Sequence, residues 1–210
     1  MLKILIADDH PIVRQGLKQI LSEEFDEVTF GEAKNSQEVL DLVREKSWNM
    51  VILDITMPGR GGLDVLNELK GQYPKLPVLV LSMHPEDQYA VRVLKAGASG
   101  YLTKGSVQEE LIKAIKKILG GGKYVSPALG EKMAFNLETK TEKPLHEILS
   151  DREYQVMIMI ASGKTVSGIA EELSLSVKTI DTYRARILEK MKMKTNAELT
   201  HYVIKNKLIE

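Results

Sequence analysis

The sequence predicts an α/β protein in which a doubly wound parallel sheet is followed by a small all-α domain. Residues 1–122 alternate strand and helix patterns five times, as expected for a (βα)5 parallel sheet with helices on both faces. In the middle of this part, residues 50–53 form an apolar run typical of a strand that is buried on both faces. After residue 148 no strand pattern occurs, and apolar residues recur at helical spacing.

Each element of the first domain carries its own signal. Apolar residues recur at helical spacing after every strand, beginning with Leu17 and Leu21 in the first helix. Pro85 is expected to be the first residue of the fourth helix, where its missing N–H costs nothing. Three glycines at 120–122 end the fifth helix. The predicted strands are residues 2–7, 28–33, 50–53, 78–81 and 100–103.

Helix-start signals organise the last part of the chain. Ser150 with Glu153, and Thr195 with Glu198, have the spacing of capping boxes. Between them, two short helices joined by a tight turn at residues 174–176 form a helix-turn-helix candidate within four predicted helices. The polar stretch before this domain is predicted to be a linker. The predicted domains are residues 1–122 and 148–210, and the predicted linker is residues 123–147.

Composition favours a globular protein and removes several function classes. Apolar residues make up 43% of the chain and charged residues 28%, which is a balance typical of folded domains. The sequence contains no cysteine, so disulfides, thiol catalysis and cysteine-ligated zinc are excluded. The chain opens on a strand pattern rather than a signal peptide, and no apolar run approaches the roughly 18 residues of a membrane helix. We therefore expect a cytoplasmic protein without a membrane partner.

Reactive side chains follow four of the predicted strands. They are Asp8 and Asp9, Asp54, Ser82, and Lys104. In an open α/β sheet, ligands bind in the crevice outside the carboxyl ends of the strands, so these groups are expected to meet. Three carboxylates at close range repel one another unless a cation lies among them. Oxygen ligands with no histidine or cysteine nearby favour Mg²⁺ or Mn²⁺.

Such a site is suited to phosphoryl transfer. An aspartate can act as the nucleophile and form an acyl phosphate. The added negative charge then needs donors, and Lys104 and the Ser82 hydroxyl stand where they would bind it. The alternative is an acidic cluster that only binds structural calcium or caps helices.

Two sets of residues resemble known domains. Asp8-Asp9, Asp54, Ser82, Gly97-Ala98, and Tyr101 with Lys104 resemble the receiver domain of bacterial response regulators. Residues 150–153, 176–180 and 187–191 are similar to the LuxR-type helix-turn-helix. Together they resemble the NarL/FixJ class of two-component regulators over nearly the whole chain apart from the linker.

The resemblance implies a role for each residue of the first set. Asp54 is expected to be phosphorylated by a sensor histidine kinase. Asp9 and Asp54 would bind Mg²⁺ with the main-chain carbonyl of Thr56, and Asp8 would act mainly through water. Lys104 would pair with the phosphoryl group. Ser82 would then swing to bond it and let Tyr101 move inward from a half-buried resting position.

The resemblance also implies double-stranded DNA as a partner, a homodimer formed on phosphorylation, and RNA polymerase as a candidate partner. Six basic residues against two acidic ones lie between positions 178 and 194. On the second helix of the motif, the apolar side is expected to face the core through Ile180, Tyr183, Ile187, Leu188 and Met191. Asp181, Thr182 and Ala185 are predicted nearest the bases, and Lys178, Thr179, Arg184 and Arg186 nearer the phosphates.

Gly168 departs from the family pattern, which usually has Glu at this position. The capping box that Thr165 would open is then incomplete, and a glycine inside a helix costs about 1 kcal/mol relative to alanine. The first helix of the motif is therefore predicted to be less stable than its neighbours.

Three functions fit these patterns. The first is a phosphorylation-controlled DNA-binding transcription regulator, which is not an enzyme. The second is a Mg²⁺-dependent phosphohydrolase with Asp54 as nucleophile, although Thr56 stands where such an enzyme needs a second carboxylate. The third is a DNA-binding module that a partner protein regulates without phosphorylation. The sequence favours the first.

Overall fold

The computed structural model describes residues 1–57, 61–106, 108–138, 144–206 and 208–209. The chain divides into two compact units, Met1–Glu138 and Thr139–Glu210. Among the described helices, none combines the length and the apolar character that crossing a membrane requires.

The first unit is a five-stranded sheet in which every neighbouring pair of strands is parallel. The strand order is β2-β1-β3-β4-β5, so the order reverses beside β1, and the crevice at that point is where such sheets bind ligands. The strands are β1 Leu2–Ala7, β2 Val28–Ala33, β3 Met50–Leu53, β4 Val78–Ser82 and β5 Gly100–Thr103. The helices are α1 Pro11–Glu24, α2 Ser36–Glu45, α3 Gly62–Gln72, α4 Glu86–Lys95 and α5 Gln108–Leu119. The predicted (βα)5 architecture is confirmed.

The core explains why the central strands read as unbroken apolar runs. Every residue of β3 and of β4 is buried, because helices cover both faces of the sheet. The edge strand β2 instead contains exposed and partly covered residues before it ends at the buried Ala33.

Pro85 does not begin α4, contrary to the sequence prediction. It is the capping residue before the helix, with φ −58° and ψ 142°, and Glu86 is the first helical residue. The fixed φ of proline suits both positions, and here the extended ψ decides between them.

The chain beyond α5 remains in contact with the sheet. Tyr124 forms a parallel bridge with Gly100, and its N–H donates to the Ser99 carbonyl at 2.8 Å. A helix, α6 Pro127–Glu138, follows within the first compact unit. The segment predicted as a linker thus contains a helix, while its residues 139–143 lie outside the described part of the chain.

The second unit contains helices and no strand among its described residues. A 3-10 helix at Leu145–Ile148 precedes α7 Asp151–Ala161, α8 Val166–Glu172, α9 Val177–Lys190 and α10 Asn196–Lys205. The four predicted helices are confirmed, and the 3-10 helix was not predicted. In α7 all residues from Val156 to Ala161 are buried, whereas α8, α9 and α10 each bury one face. The buried residues of this domain include Met157, Ile169, Ile180, Ile187, Leu199 and Val203.

The two predicted capping boxes differ. At α7 both halves form, because the Ser150 hydroxyl accepts from the Glu153 N–H and the Glu153 carboxylate accepts from the Ser150 N–H. At α10 the Thr195 hydroxyl accepts from the Glu198 N–H at 3.2 Å, but the Glu198 carboxylate accepts from the N–H of Lys194. The second box is therefore incomplete, and the prediction was wrong in that half.

The turn between α8 and α9 closes with two hydrogen bonds. Leu175 N–H donates to the Ala170 carbonyl at 2.8 Å, and Ser174 N–H donates to the Glu171 carbonyl at 3.1 Å. This is the Schellman arrangement, with Ser174 in the left-handed region at φ 53°. The turn sets the angle between α8 and α9.

Candidate functional site

Asp8 and Asp54 lie side by side because β1 and β3 pair in register. Ala7 of β1 is opposite Leu53 of β3, and the Asp54 N–H donates to the Ala7 carbonyl at 2.8 Å. Both carboxylates then emerge at the carboxyl edge where the strand order reverses. They are 2% and 1% exposed, so their charges must be balanced by nearby groups rather than by water.

Lys104 provides that balance. Its Nζ lies 2.7 Å from Asp8 Oδ2 and 2.8 Å from Asp54 Oδ2, and its own side chain is 8% exposed. Burial acts to lower the pKa of the Lys104 ammonium, but the hydrogen bonds to Asp54 and Asp8 outweigh it and raise the pKa above its ordinary value. The lysine is therefore held charged between the two carboxylates.

Thr56 contacts the Asp54 carboxylate with its side chain as well as its main chain. The Thr56 N–H donates to Asp54 Oδ1 at 2.9 Å. The hydroxyl lies 2.6 Å from Oδ1 and 2.7 Å from Oδ2, so its single proton is shared between the two oxygens. Asp54 is thus bound by Thr56 on one side and Lys104 on the other.

Asp8, Asp9, His10 and Asp54 form one cluster, with a potential ligand atom from each within 4.8 Å of the others. The sequence prediction that no histidine lies nearby was wrong. His10 Nδ1 is 3.2 Å from Asp8 Oδ1 and 2.8 Å from Asp9 Oδ1. His10 directly follows Asp9 in the chain, and that adjacency was the signal that could have placed it at the site.

The far side of the site contains Ser82, His84 and Tyr101. The Ser82 hydroxyl accepts from the His84 N–H at 3.2 Å, and the Tyr101 hydroxyl donates to the His84 carbonyl at 2.7 Å. Tyr101 is fully buried, so the half-buried resting position predicted for it is wrong. Its hydroxyl donates to a main-chain carbonyl in the loop after β4, so the ring can be buried without leaving the hydroxyl unpaired.

The second helix of the helix-turn-helix, α9, has the two faces that were predicted. Ile180, Ile187 and Met191 are buried, and Tyr183 and Leu188 are partly covered. Five of the predicted DNA-contacting residues are exposed, namely Lys178, Asp181, Thr182, Ala185 and Arg186. The other two, Thr179 and Arg184, are partly covered.

Four of the predicted DNA-contacting side chains already have partners in α9 or in its capping residue. The Thr182 hydroxyl donates to the Lys178 carbonyl at 2.9 Å. Thr179 Oγ1 lies 2.7 Å from the hydroxyl of Ser176, the residue that caps the helix. Arg184 lies 3.8 Å from Asp181 across one turn, which is a weak, exposed ion pair. These contacts can open at a surface, so none of them removes its residue from the candidate interface.

An ion pair fastens α9 to α7. Lys190 Nζ lies 2.7 Å from Glu153 Oε2, and the Glu153 side chain is 4% exposed. Burial acts to raise the pKa of the Glu153 carboxyl, but the Lys190 ammonium and the Ser150 hydrogen bonds outweigh it and hold the pKa below its ordinary value. Glu153 thus caps one helix and anchors the other.

A parallel five-stranded sheet with a lysine between two buried aspartates, followed by a helix-turn-helix, defines a response regulator with a DNA-binding output domain. Residues 4–116 match the family described as "Response regulator receiver domain", and residues 147–203 match "Bacterial regulatory proteins, luxR family". The chain therefore belongs to the two-component response regulators of the NarL/FixJ class.

Curated relatives match over the full length. The chain is 34% identical over 211 residues to the response regulator GacA of Pseudomonas aeruginosa, covering 100% of this chain and 99% of GacA. It is 34% identical over 210 residues to the response regulator UvrY of Escherichia coli K12, covering 99% of this chain and 96% of UvrY.

Solved structures of RcsB are similar to this chain over nearly the whole length of both chains. The structure of RcsB from Salmonella enterica serovar Typhimurium bound to the rprA promoter with the phosphomimetic BeF3⁻ has a TM-score of 0.67 and 27% identity, covering 97% of this chain and 98% of that one. A structure of two RcsB dimers bound to two parallel DNAs has a TM-score of 0.60 and 26% identity, covering 97% and 98%.

Proposed function

We propose that Asp54 is the phosphoryl acceptor of this regulator and that a sensor histidine kinase supplies the phosphoryl group. The observation that carries the proposal is the Lys104 ammonium, which lies within 2.8 Å of both Asp8 and Asp54. A carboxylate oxygen of Asp54 attacks phosphorus, the bond from phosphorus to the donor breaks, and an acyl phosphate forms. The ammonium is then in place to pair with the new phosphoryl oxygens.

The residues at this edge fit Mg²⁺. Asp9 Oδ1 is buried and accepts no hydrogen bond from the described residues, although His10 Nδ1 lies at ion-pair distance. Such an oxygen gains a partner when a hard cation binds. Asp9 and Asp54 would hold the ion with the Thr56 carbonyl, and Asp8 would act through water. The ion supplies positive charge for the incoming phosphoryl oxygens.

We further propose that Ser82 and Tyr101 report the state of Asp54. When the Ser82 hydroxyl turns toward a phosphoryl oxygen, it gives up the N–H of His84. The Tyr101 hydroxyl donates to the carbonyl of the same residue. Phosphorylation would therefore remove one of these two hydrogen bonds to the loop after β4 and leave the other. Phosphorylation would thus move the loop that leads into α4.

The output of the proposed switch is DNA binding by a homodimer. The exposed face of α9 would enter the major groove, with Asp181, Thr182 and Ala185 nearest the bases. The predicted phosphate contacts are Lys178, Thr179, Arg184 and Arg186. RcsB dimers bound to DNA support this assembly. A regulator of chromosomal transcription would act in the cytoplasm with RNA polymerase as a further partner, rather than as an enzyme. The domain bounds 1–122, 123–147 and 148–210 belong to the same proposal.

The test is DNA binding and oligomeric state with and without acetyl phosphate and Mg²⁺. The DNA is a random-sequence duplex pool from which the phosphorylated protein selects its sites. The wild type should gain one phosphoryl group by mass spectrometry, become dimeric, and bind the selected duplexes more tightly. Asp54→Asn should do none of these things, because an amide is not a nucleophile toward acetyl phosphate.

A matched control is Asp64→Asn, which makes the same change at an exposed position on α3 of the same domain. It should behave as the wild type does. Phosphorylation of the Asp54→Asn protein would show that another residue is the acceptor. Equal DNA binding by all samples would show that phosphorylation of the receiver does not control DNA binding.

A further inference from the structure

Arg14 of α1 is a charged side chain almost completely removed from solvent. Its side chain is 9% exposed, whereas that of Lys18, one turn further along the same helix, is 32% exposed. Burying a guanidinium is costly unless its donors find acceptors. The acceptors of Arg14 therefore show what holds it there.

Arg14 joins the loop after β1 to the end of β2. One terminal guanidinium nitrogen donates to the main-chain carbonyl of Asp8 at 2.8 Å, and Nε donates to Glu32 Oε2 at 2.9 Å. Lys18 also pairs with Glu32. The hydrogen bond from Lys18, followed by that from Arg14, lowers the pKa of the Glu32 carboxyl below its ordinary value. Glu32 is thus a charged anchor for the planar guanidinium.

The carbonyl that Arg14 holds belongs to the peptide between Asp8 and Asp9. The Asp8 N–H donates to the Ala33 carbonyl at 3.1 Å, so the main chain of Asp8 is fixed by β2 on one side and by α1 on the other. Because a peptide unit is planar, its orientation sets the direction in which the next residue leaves it. Arg14 thereby constrains the Asp9 side chain without touching it.

We propose that Arg14 is a positioning residue for the magnesium site. By holding the Asp8 main chain, it keeps the carboxylates of Asp8 and Asp9 in the arrangement that binds the ion. This inference rests on the proposed function, since it requires that the acidic cluster binds Mg²⁺.

Positioning and simple charge predict opposite results. A guanidinium beside the cluster repels a cation, so if Arg14 acted only through its charge, its removal would strengthen Mg²⁺ binding. Loss of a group that orients metal ligands weakens metal binding, by about 10- to 100-fold for comparable outer-shell partners. The sign of the change therefore identifies the role.

The experiment measures binding of Mg²⁺ alone to the full-length protein by isothermal titration calorimetry, with the Mg²⁺-dependent rise in melting temperature as a second readout. Circular dichroism first confirms that each variant is folded. Arg14→Lys keeps the charge but lacks the planar fork, so one ammonium cannot reproduce both contacts. Arg14→Lys and Arg14→Ala should each bind Mg²⁺ about 10-fold more weakly than the wild type.

Lys18→Ala is the matched control, because it removes the other partner of Glu32 without touching Asp8. It should bind Mg²⁺ as the wild type does. If Arg14→Ala does not fold, Arg14→Lys carries the test. Unchanged or tighter binding by Arg14→Lys, or an equal loss in Lys18→Ala, would overturn the inference. A wild-type protein that binds no Mg²⁺ would instead overturn the proposed function, and this inference with it.

Discussion

The charged groups of the receiver edge and those of α9 are arranged in opposite ways. At the edge, Lys104 is 8% exposed and contacts two carboxylates that are at most 3% exposed. On α9, Lys178, Asp181 and Arg186 are all exposed. A buried charge is fixed by its partners and costs stability when a partner is lost, whereas an exposed charge contributes little to folding. The buried charges of the receiver edge therefore maintain the geometry of the site, whereas the exposed charges of α9 can contact a partner.

The largest expected difference between the two regions is the effect of removing a single lysine on stability. Lys104→Met should destabilise the receiver by about 3–5 kcal/mol, because it leaves the buried Asp8 and Asp54 carboxylates without the ammonium that balances their charge. Lys178→Met, the same change on the exposed face of α9, should alter the free energy of unfolding by less than about 0.5 kcal/mol. Urea unfolding in the presence of a chelator, followed by circular dichroism, measures both. Similar stabilities for the two variants would contradict the assignment of buried and exposed charge.

DNA affinity, unlike stability, should depend on the exposed Lys178. Lys178→Ala removes one predicted phosphate contact, so the slope of log affinity against log salt should fall in magnitude by about 1. Lys75→Ala removes a lysine that is also exposed but lies in the receiver, and it should leave the slope unchanged. Binding isotherms of the phosphorylated protein across a salt series measure the effect. An unchanged slope for Lys178→Ala would remove this lysine from the interface.

The two regions also differ in how far the sequence could predict them. The strand ends and the buried face of α9 were predicted well, because both depend on local periodicity that tertiary packing then uses. The contact between Lys104 and Asp8 joins residues far apart in the chain, and only the position of each at a strand end indicated that they would meet.

The errors have a common cause, which is that each depends on a local geometry that residue types do not determine. No histidine was predicted near the acidic cluster, yet the loop after β1 places the His10 ring within 3.2 Å of the Asp8 and Asp9 carboxylates. Tyr101 was expected to be half-buried, but the main-chain carbonyl of His84 satisfies its hydroxyl inside the domain. The Glu198 carboxylate was expected to accept from the N–H of Thr195, but it accepts from the N–H of Lys194.

Glu153 sharpens the comparison, because it is a buried charge within the DNA-binding domain. Its pKa is held below the ordinary value of 4.5, so its contribution to stability is fully present above that pH and is lost as the pH falls through the lower folded-state pKa. Glu153→Gln should therefore weaken the acid dependence of unfolding of the second domain. The exposed Glu189→Gln on α9 should leave it unchanged. Urea midpoints measured from about pH 6 to about pH 3 test this. Parallel wild-type and Glu153→Gln profiles would show that the carboxylate is not coupled to folding.

The smallest expected effect concerns α8, the helix that supports α9 in the motif. The Thr165 hydroxyl caps α8 by accepting from the Gly168 N–H at 3.1 Å, which is the half of a capping box that needs no side chain at position 168. Glycine leaves that position more freedom in the unfolded chain, so Gly168→Ala should stabilise the domain by up to about 1 kcal/mol. A Cβ at this position would lie 3.3 Å from the Thr165 hydroxyl oxygen, so the cap must shift slightly and the gain should fall below that limit.

Hydrogen exchange gives the sharper measurement for this helix. In the wild type, amide protection in α8 should be lower than in α7 and α9, and Gly168→Ala should raise it toward theirs, because protection reports local opening as well as global unfolding. Ser167→Ala changes an exposed neighbour on the same helix and serves as the control. Protection in wild-type α8 equal to that of its neighbours would show that packing of Ile169 and Ala170 in the core, rather than backbone freedom, sets the stability of this helix.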